Sequence, residues 1–84
     1  MYKNRNEDGS LNICGRKVAA LRKGMVPAVS QRALADRLQL AGLDLDKNAI
    51  QRIESGKRFV TDIELKVLAK VLGVPVEVLL EDNI

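Results

Sequence analysis

The 84-residue chain contains no histidine, no tryptophan and one cysteine, Cys14. These absences exclude a His/Cys zinc cluster, an iron–sulfur centre and any disulfide within the chain. They also remove every nucleophile–histidine pair, and with it hydrolytic triad chemistry. Only Tyr2 and Phe59 are aromatic, too few for the stacking platforms on which single strands and RNA are held. No apolar run approaches the roughly 18 residues of a membrane helix. The first ten residues, MYKNRNEDGS, are polar and of mixed charge, unlike a signal peptide. A lone thiol fits a reducing compartment. The expectation is a cytoplasmic protein that uses no membrane, no metal, no cofactor and no catalytic residue.

What is present describes one small globular domain, with 46% hydrophobic and 30% charged residues. The formal net charge of +3 says little, but its distribution says more. Between Gly15 and Arg58 there are ten basic and four acidic side chains; from Phe59 onward two basic and five acidic. One part of the chain is suited to polyanions and the other is not.

The pattern predicts an all-α domain over residues 12–84, preceded by a flexible tail over 1–11. A first helix is capped by Ser10 or Asn12 and runs to about Lys23. Cys14, Val18 and Leu21 form its apolar stripe, and Gly24 is placed as a left-handed terminator. Pro27 keeps the next connection non-helical. Ser30 caps a second helix with Leu34, Ala35 and Leu38 inside, fading between Leu40 and Gly42. Asp46 caps a third, with Ile50 and Ile53 inside and Gly56 ending it. Thr61 caps a fourth, apolar at Ile63, Leu65, Leu68, Ala69 and Leu72 and ending at Gly73. Pro75 is placed as the first residue of a short fifth helix reaching about Glu81. There Val78 and Leu79 face inward and Val76 and Leu80 are the less covered positions. No strand pattern is present.

With Ile50 and Ile53 turned inward, helical periodicity puts Lys47, Asn48, Gln51 and Arg52 on one outward ridge of the third helix. Two readings fit such a ridge: a solvated polar face, or a surface for base edges in a major groove. Glu54 is unusual, because the end of a helix disfavours an anion and its neighbour Ile53 is apolar. It needs a cation, or it points to water, or it pairs locally with Lys57 or Arg58.

The segments SQRALADRL and IQRIESGKR, followed by LKVLAKVLGV, together resemble the lambda-repressor-like (XRE-type, Cro-type) helix-turn-helix DNA-binding domains over about residues 13–80. The resemblance implies a compact five-helix fold in which helices two and three form the helix-turn-helix. It implies base contacts by Lys47, Asn48 and Arg52. Backbone contacts are implied for Gln31, Arg32, Gln51, Lys57 and Arg58. It also implies a structural ion pair between Arg22 and Glu54. The link between helices two and three is about five residues longer than the tight turn of such motifs, which leaves their mutual angle open.

The expected partner is double-stranded DNA, as an inverted-repeat operator bound by a homodimer. Val76, Leu80 and Ile84 are candidate dimer positions. The expected activity is transcriptional regulation, most simply repression. The alternatives are an antitoxin, with a toxin as second partner, and a protein-interaction adaptor that uses the same fold without DNA.

Overall fold

The computed structural model describes Asn6 and residues 8–81. Five helices follow one another: α1 (Gly15–Lys23), α2 (Gln31–Leu40), α3 (Lys47–Glu54), α4 (Asp62–Leu72) and α5 (Val76–Leu79). Among the described residues there is no strand.

Three helices begin as their sequences dictate. The Ser30 hydroxyl accepts from the Ala33 amide at 3.0 Å, and the Asp46 carboxylate accepts from the Ala49 amide at 2.8 Å. Thr61 and Glu64 form a reciprocal pair, with the Glu64 amide donating to Thr61 Oγ1 (3.1 Å) and the Thr61 amide donating to Glu64 Oε1 (3.0 Å). Each arrangement satisfies amides that a helix start otherwise leaves unpaired. α3 and α4 are terminated by Gly56 and Gly73, both left-handed at φ 76°. The Lys57 amide then reaches back to the Arg52 carbonyl, and the Val74 amide to that of Ala69.

Two expectations are corrected. Gly24 closes α1 with φ −83°, in the right-handed region. The chain beyond it is instead held by the Met25 and Val29 amides, which both donate to the Arg22 carbonyl. Pro75 stands before the first residue of α5, with extended backbone, and α5 closes at Leu79.

The core is aliphatic. Val18 of α1, Leu34 and Leu38 of α2, Ile50 and Ile53 of α3, Leu68 of α4 and Leu79 of α5 are all fully buried. Every helix therefore gives at least one side chain to the same interior, and α3 is fixed against α1 and α2. The connection Ala41–Asp46 joins it, with Leu45 buried and Leu43 packed alongside. The additional residues of the link thus enlarge the core. Ile63 is 69% exposed on α4. In α5, Val76 packs against the core, while Leu80, just beyond it, stays 44% exposed.

α1 approaches α3 closely because residue 15 has no side chain. A Cβ at Gly15 would collide with the Ile53 carbonyl oxygen. Asn12 fastens the same corner. Its Oδ1 accepts from the Gly15 amide (2.8 Å), and its Nδ2 donates to the carbonyls of Ile53 (3.1 Å) and Arg58 (2.8 Å). Asn12, one of the two expected caps of α1, stands two residues before the actual N-cap, Cys14, and ties α1 to α3 and the turn after it. Ser10 bonds to Asp8 instead. The last residue of the expected tail also touches the domain, since the Leu11 amide donates to the Gly56 carbonyl at 2.8 Å.

Candidate nucleic-acid interface

α3 has a sharp division of faces. Ala49, Ile50 and Ile53 are buried, while Lys47, Asn48, Gln51 and Arg52 are exposed. None of these four exposed side chains makes a hydrogen bond or ion pair among the described residues. They form a ridge of donors and amides standing off a helix whose opposite face is locked in the core. Such a rod is rigidly aimed, a requirement for reading base edges.

Behind the ridge lies a polar network that holds α3 in place. The Arg22 guanidinium meets the Glu54 carboxylate through two contacts, Nε to Oε2 at 2.8 Å and Nη2 to Oε1 at 2.9 Å. Its Nη1 donates to the Val29 carbonyl at 2.9 Å. Gln31 Nε2 adds a further bond to Glu54 Oε1, again at 2.9 Å. Both ion-pair side chains are about nine-tenths covered, at 10% and 9% exposure. A carboxylate at the C-terminal end of a helix, where the dipole is unfavourable, is thus offset by a bidentate cation and an amide. The network joins the end of α1, the start of α2 and the end of α3. Gln31, read from sequence as a phosphate contact, therefore braces Glu54 as well.

Other predicted residues are distributed as follows. Arg32 is exposed on the first turn of α2, and Lys57 is exposed just beyond the end of α3. Arg58 differs. Its two terminal nitrogens donate to both oxygens of Glu64 at 2.9 Å, and one also reaches the Phe59 carbonyl. That pairing holds the Glu64 carboxyl below its ordinary value, chiefly through the Arg58 hydrogen bond. Arg58, which the resemblance implies as a phosphate contact, is thus also engaged within the domain, tying the turn after α3 to the start of α4. Cys14 is buried in the core, and burial pushes its thiol above the ordinary value.

Sequence reasoning did not find the clamping role of Asn12, whose partners lie 41 and 46 residues away. Nor did it find Glu64, which serves at once as helix cap and as partner to Arg58. Among the described residues, no group of three or more acidic or cysteine side chains is placed to hold a metal ion. No helix there is long and apolar enough to cross a membrane.

The bundle of short helices buries one side of α3 and offers the other as a polar ridge, and the family comparison identifies this arrangement as a DNA-binding helix-turn-helix regulator. The profile of the helix-turn-helix family matches residues 29–79, more than half of the chain, from just before α2 to the end of α5. The chain belongs to that family, in its XRE or lambda-repressor-like branch. No curated protein and no solved structure gives a significant match.

Proposed function

We propose that the protein is a sequence-specific transcriptional repressor that lays α3 in the major groove of double-stranded DNA. The observation that carries this reading is the division of α3, with Ile50 and Ile53 at 0% exposure behind an unpartnered ridge of Lys47, Asn48, Gln51 and Arg52. A major groove admits an α-helix. Arg52 and Lys47 supply donors for guanine O6 and N7, and Asn48 supplies the paired donor and acceptor that match adenine. Gln51 turns toward the backbone at the edge of the groove.

Phosphate contacts fall to Gln31 and Arg32 at the start of α2 and to Lys57 beyond α3. Gln31 spends one amide hydrogen on Glu54 and keeps a second for a phosphate oxygen. The first turn of α2 adds the positive end of its dipole. These contacts set affinity and register, whereas the α3 ridge sets sequence preference.

A homodimer on an inverted repeat is the natural assembly, because one small domain reads about half of a site. Leu80, exposed just after α5, is available for such pairing. Val76 is largely engaged by the core, and Ile84 lies outside the described residues. The working compartment is the cytoplasm, where the DNA of such regulators lies.

The test is selection of bound duplexes from a random pool, followed by fluorescence anisotropy on the winners at low salt. The expected result is a defined motif with two-fold symmetry and half-sites about one helical turn apart. Absence of duplex binding at about 50 mM salt would remove the proposal, because even non-specific binding emerges there.

A further inference from the structure

We infer that Asn12 is a positioning residue for DNA binding: it fixes the turn from which Lys57 reaches a backbone phosphate. The inference rests on the DNA-binding reading above. It gives a part in binding to a residue upstream of the stretch 29–79 that matches the family.

Lys57 is exposed, and its side chain makes no hydrogen bond or ion pair among the described residues. Its backbone, by contrast, is held on both sides. The carbonyl of its neighbour Gly56 accepts from the Leu11 amide at 2.8 Å. The carbonyl of its other neighbour, Arg58, accepts from Asn12 Nδ2, also at 2.8 Å. The same nitrogen donates to the Ile53 carbonyl at 3.1 Å, in the last turn of α3. Ser10 completes the contact, because a Cβ at Gly56 would stand 2.8 Å from the Ser10 Cβ. Three successive residues, Ser10, Leu11 and Asn12, thus lie against the turn that carries Lys57.

The amide of Asn12 is matched to this task. It has an acceptor oxygen and two donor hydrogens. The oxygen accepts from the Gly15 amide at 2.8 Å, and the hydrogens go to two carbonyls 41 and 46 residues away. A carboxylate in its place would face both carbonyl oxygens with no hydrogen to offer, and a hydroxyl has only one.

A lysine stem is flexible, so the space its ammonium can search is set by where the backbone stands. A turn already ordered loses little freedom when the phosphate contact forms. A loose turn must be ordered at that moment, at a cost in affinity. α3 itself is fixed by other means, the burial of Ile50 and Ile53 and the Arg22–Glu54 pair. Loosening the turn therefore weakens the phosphate contact and leaves the base-reading ridge in place.

The experiment uses the intact chain, Asn12→Ala, Lys57→Ala and the double variant, at a temperature where circular dichroism shows each to be folded. Anisotropy over a salt series gives affinities, and selection from a random duplex pool gives base profiles. Asn12→Ala is expected to bind every duplex about fivefold more weakly, to lower the slope of log affinity against log salt by about one, and to keep its base profile. The double variant should bind no more weakly than Lys57→Ala, because both changes remove the same contact. A merely structural role would not give this pattern: a misplaced α3 would blur the base profile and add its loss to that of Lys57→Ala. If folded Asn12→Ala keeps the affinity and salt slope of the intact chain, or if the two losses add, the inference is overturned. Should Asn12→Ala fold at no temperature tested, Asn12→Ser decides by the same criteria, since its hydroxyl keeps an acceptor for the Gly15 amide and is too short for both carbonyls. If the intact chain itself binds no duplex, the DNA reading fails and takes the inference with it; that result is recognisable without any variant.

Discussion

Arg22 and Glu54 stand 32 residues apart in the chain and meet as a nearly covered, two-pronged ion pair with contacts of 2.8 and 2.9 Å. Removing one partner strands the other charge in a poorly solvated corner. Arg22→Ala and Glu54→Ala should each lower unfolding free energy by about 3 kcal/mol. Urea denaturation measures the loss. The double variant should lose less than the two single losses combined, because each single change already breaks the pair. A neutral Glu54→Ala would show that the pair contributes nothing.

Gln31→Glu replaces an amide that donates to Glu54 with a second carboxylate at the same oxygen. The expected outcome is lower thermal stability than Gln31→Ala shows, since like charges in contact repel. DNA affinity should fall on every sequence tested, because the side chain also loses its donor for phosphate.

Arg52→Ala and Lys57→Ala should behave differently. The first should cost about 1–3 kcal/mol on the preferred duplex and relax the preference at one base pair. The second should weaken all duplexes alike and reduce the slope of log affinity against log salt by about one. A titration series from low to moderate salt distinguishes them. Identical behaviour would mean that α3 and the turn after it do not divide the work.

Glu64 gives the protein an acid-sensitive joint. Its folded-state carboxyl titrates below the ordinary value, chiefly because of the Arg58 hydrogen bond. The unfolded chain therefore takes up the proton first as pH falls. The stabilisation is complete above the ordinary glutamate range, about 4.3, and is lost progressively as pH drops through the folded value. Melting temperature should decline over that acid window in the intact protein and decline less steeply in Glu64→Gln.

Gly15→Ala should destabilise the fold by about 2 kcal/mol or more, because the new methyl group meets the Ile53 backbone carbonyl rather than a side chain that can turn away. The same substitution at Gly42, where φ is 91° but no atom lies within 4 Å, carries only the cost of the left-handed backbone. Comparison of the two melting curves separates close packing from backbone strain.

Much of the fold is legible in the sequence where its causes are local. Ser30, Asp46 and Thr61 announce helix starts because each needs only a hydroxyl or carboxylate three residues before an amide. Gly56 and Gly73 announce helix ends for a similar reason. The outward ridge of α3 follows from Ile50 and Ile53 by periodicity alone. Gly24 misleads, because a residue that can be left-handed need not be when the following loop bonds back onto Arg22. The Arg58–Glu64 pair is hidden too, because Glu64, six residues on, is not at a spacing that sequence periodicity flags. Asn12 is illegible for a plainer reason. Its acceptors are main-chain oxygens more than forty positions away, and every residue type has such an oxygen.

The clamp at Asn12 and the cation at Arg22 both lie upstream of the stretch 29–79 that carries the family signature. A fragment trimmed to that stretch would keep the recognition rod but lose both of its anchors, leaving Glu54 with an unneutralised charge and the Ile53 carbonyl without its donor. A piece that keeps both anchors of α3 must therefore begin no later than residue 12 and include α1, although the family signature starts only at residue 29.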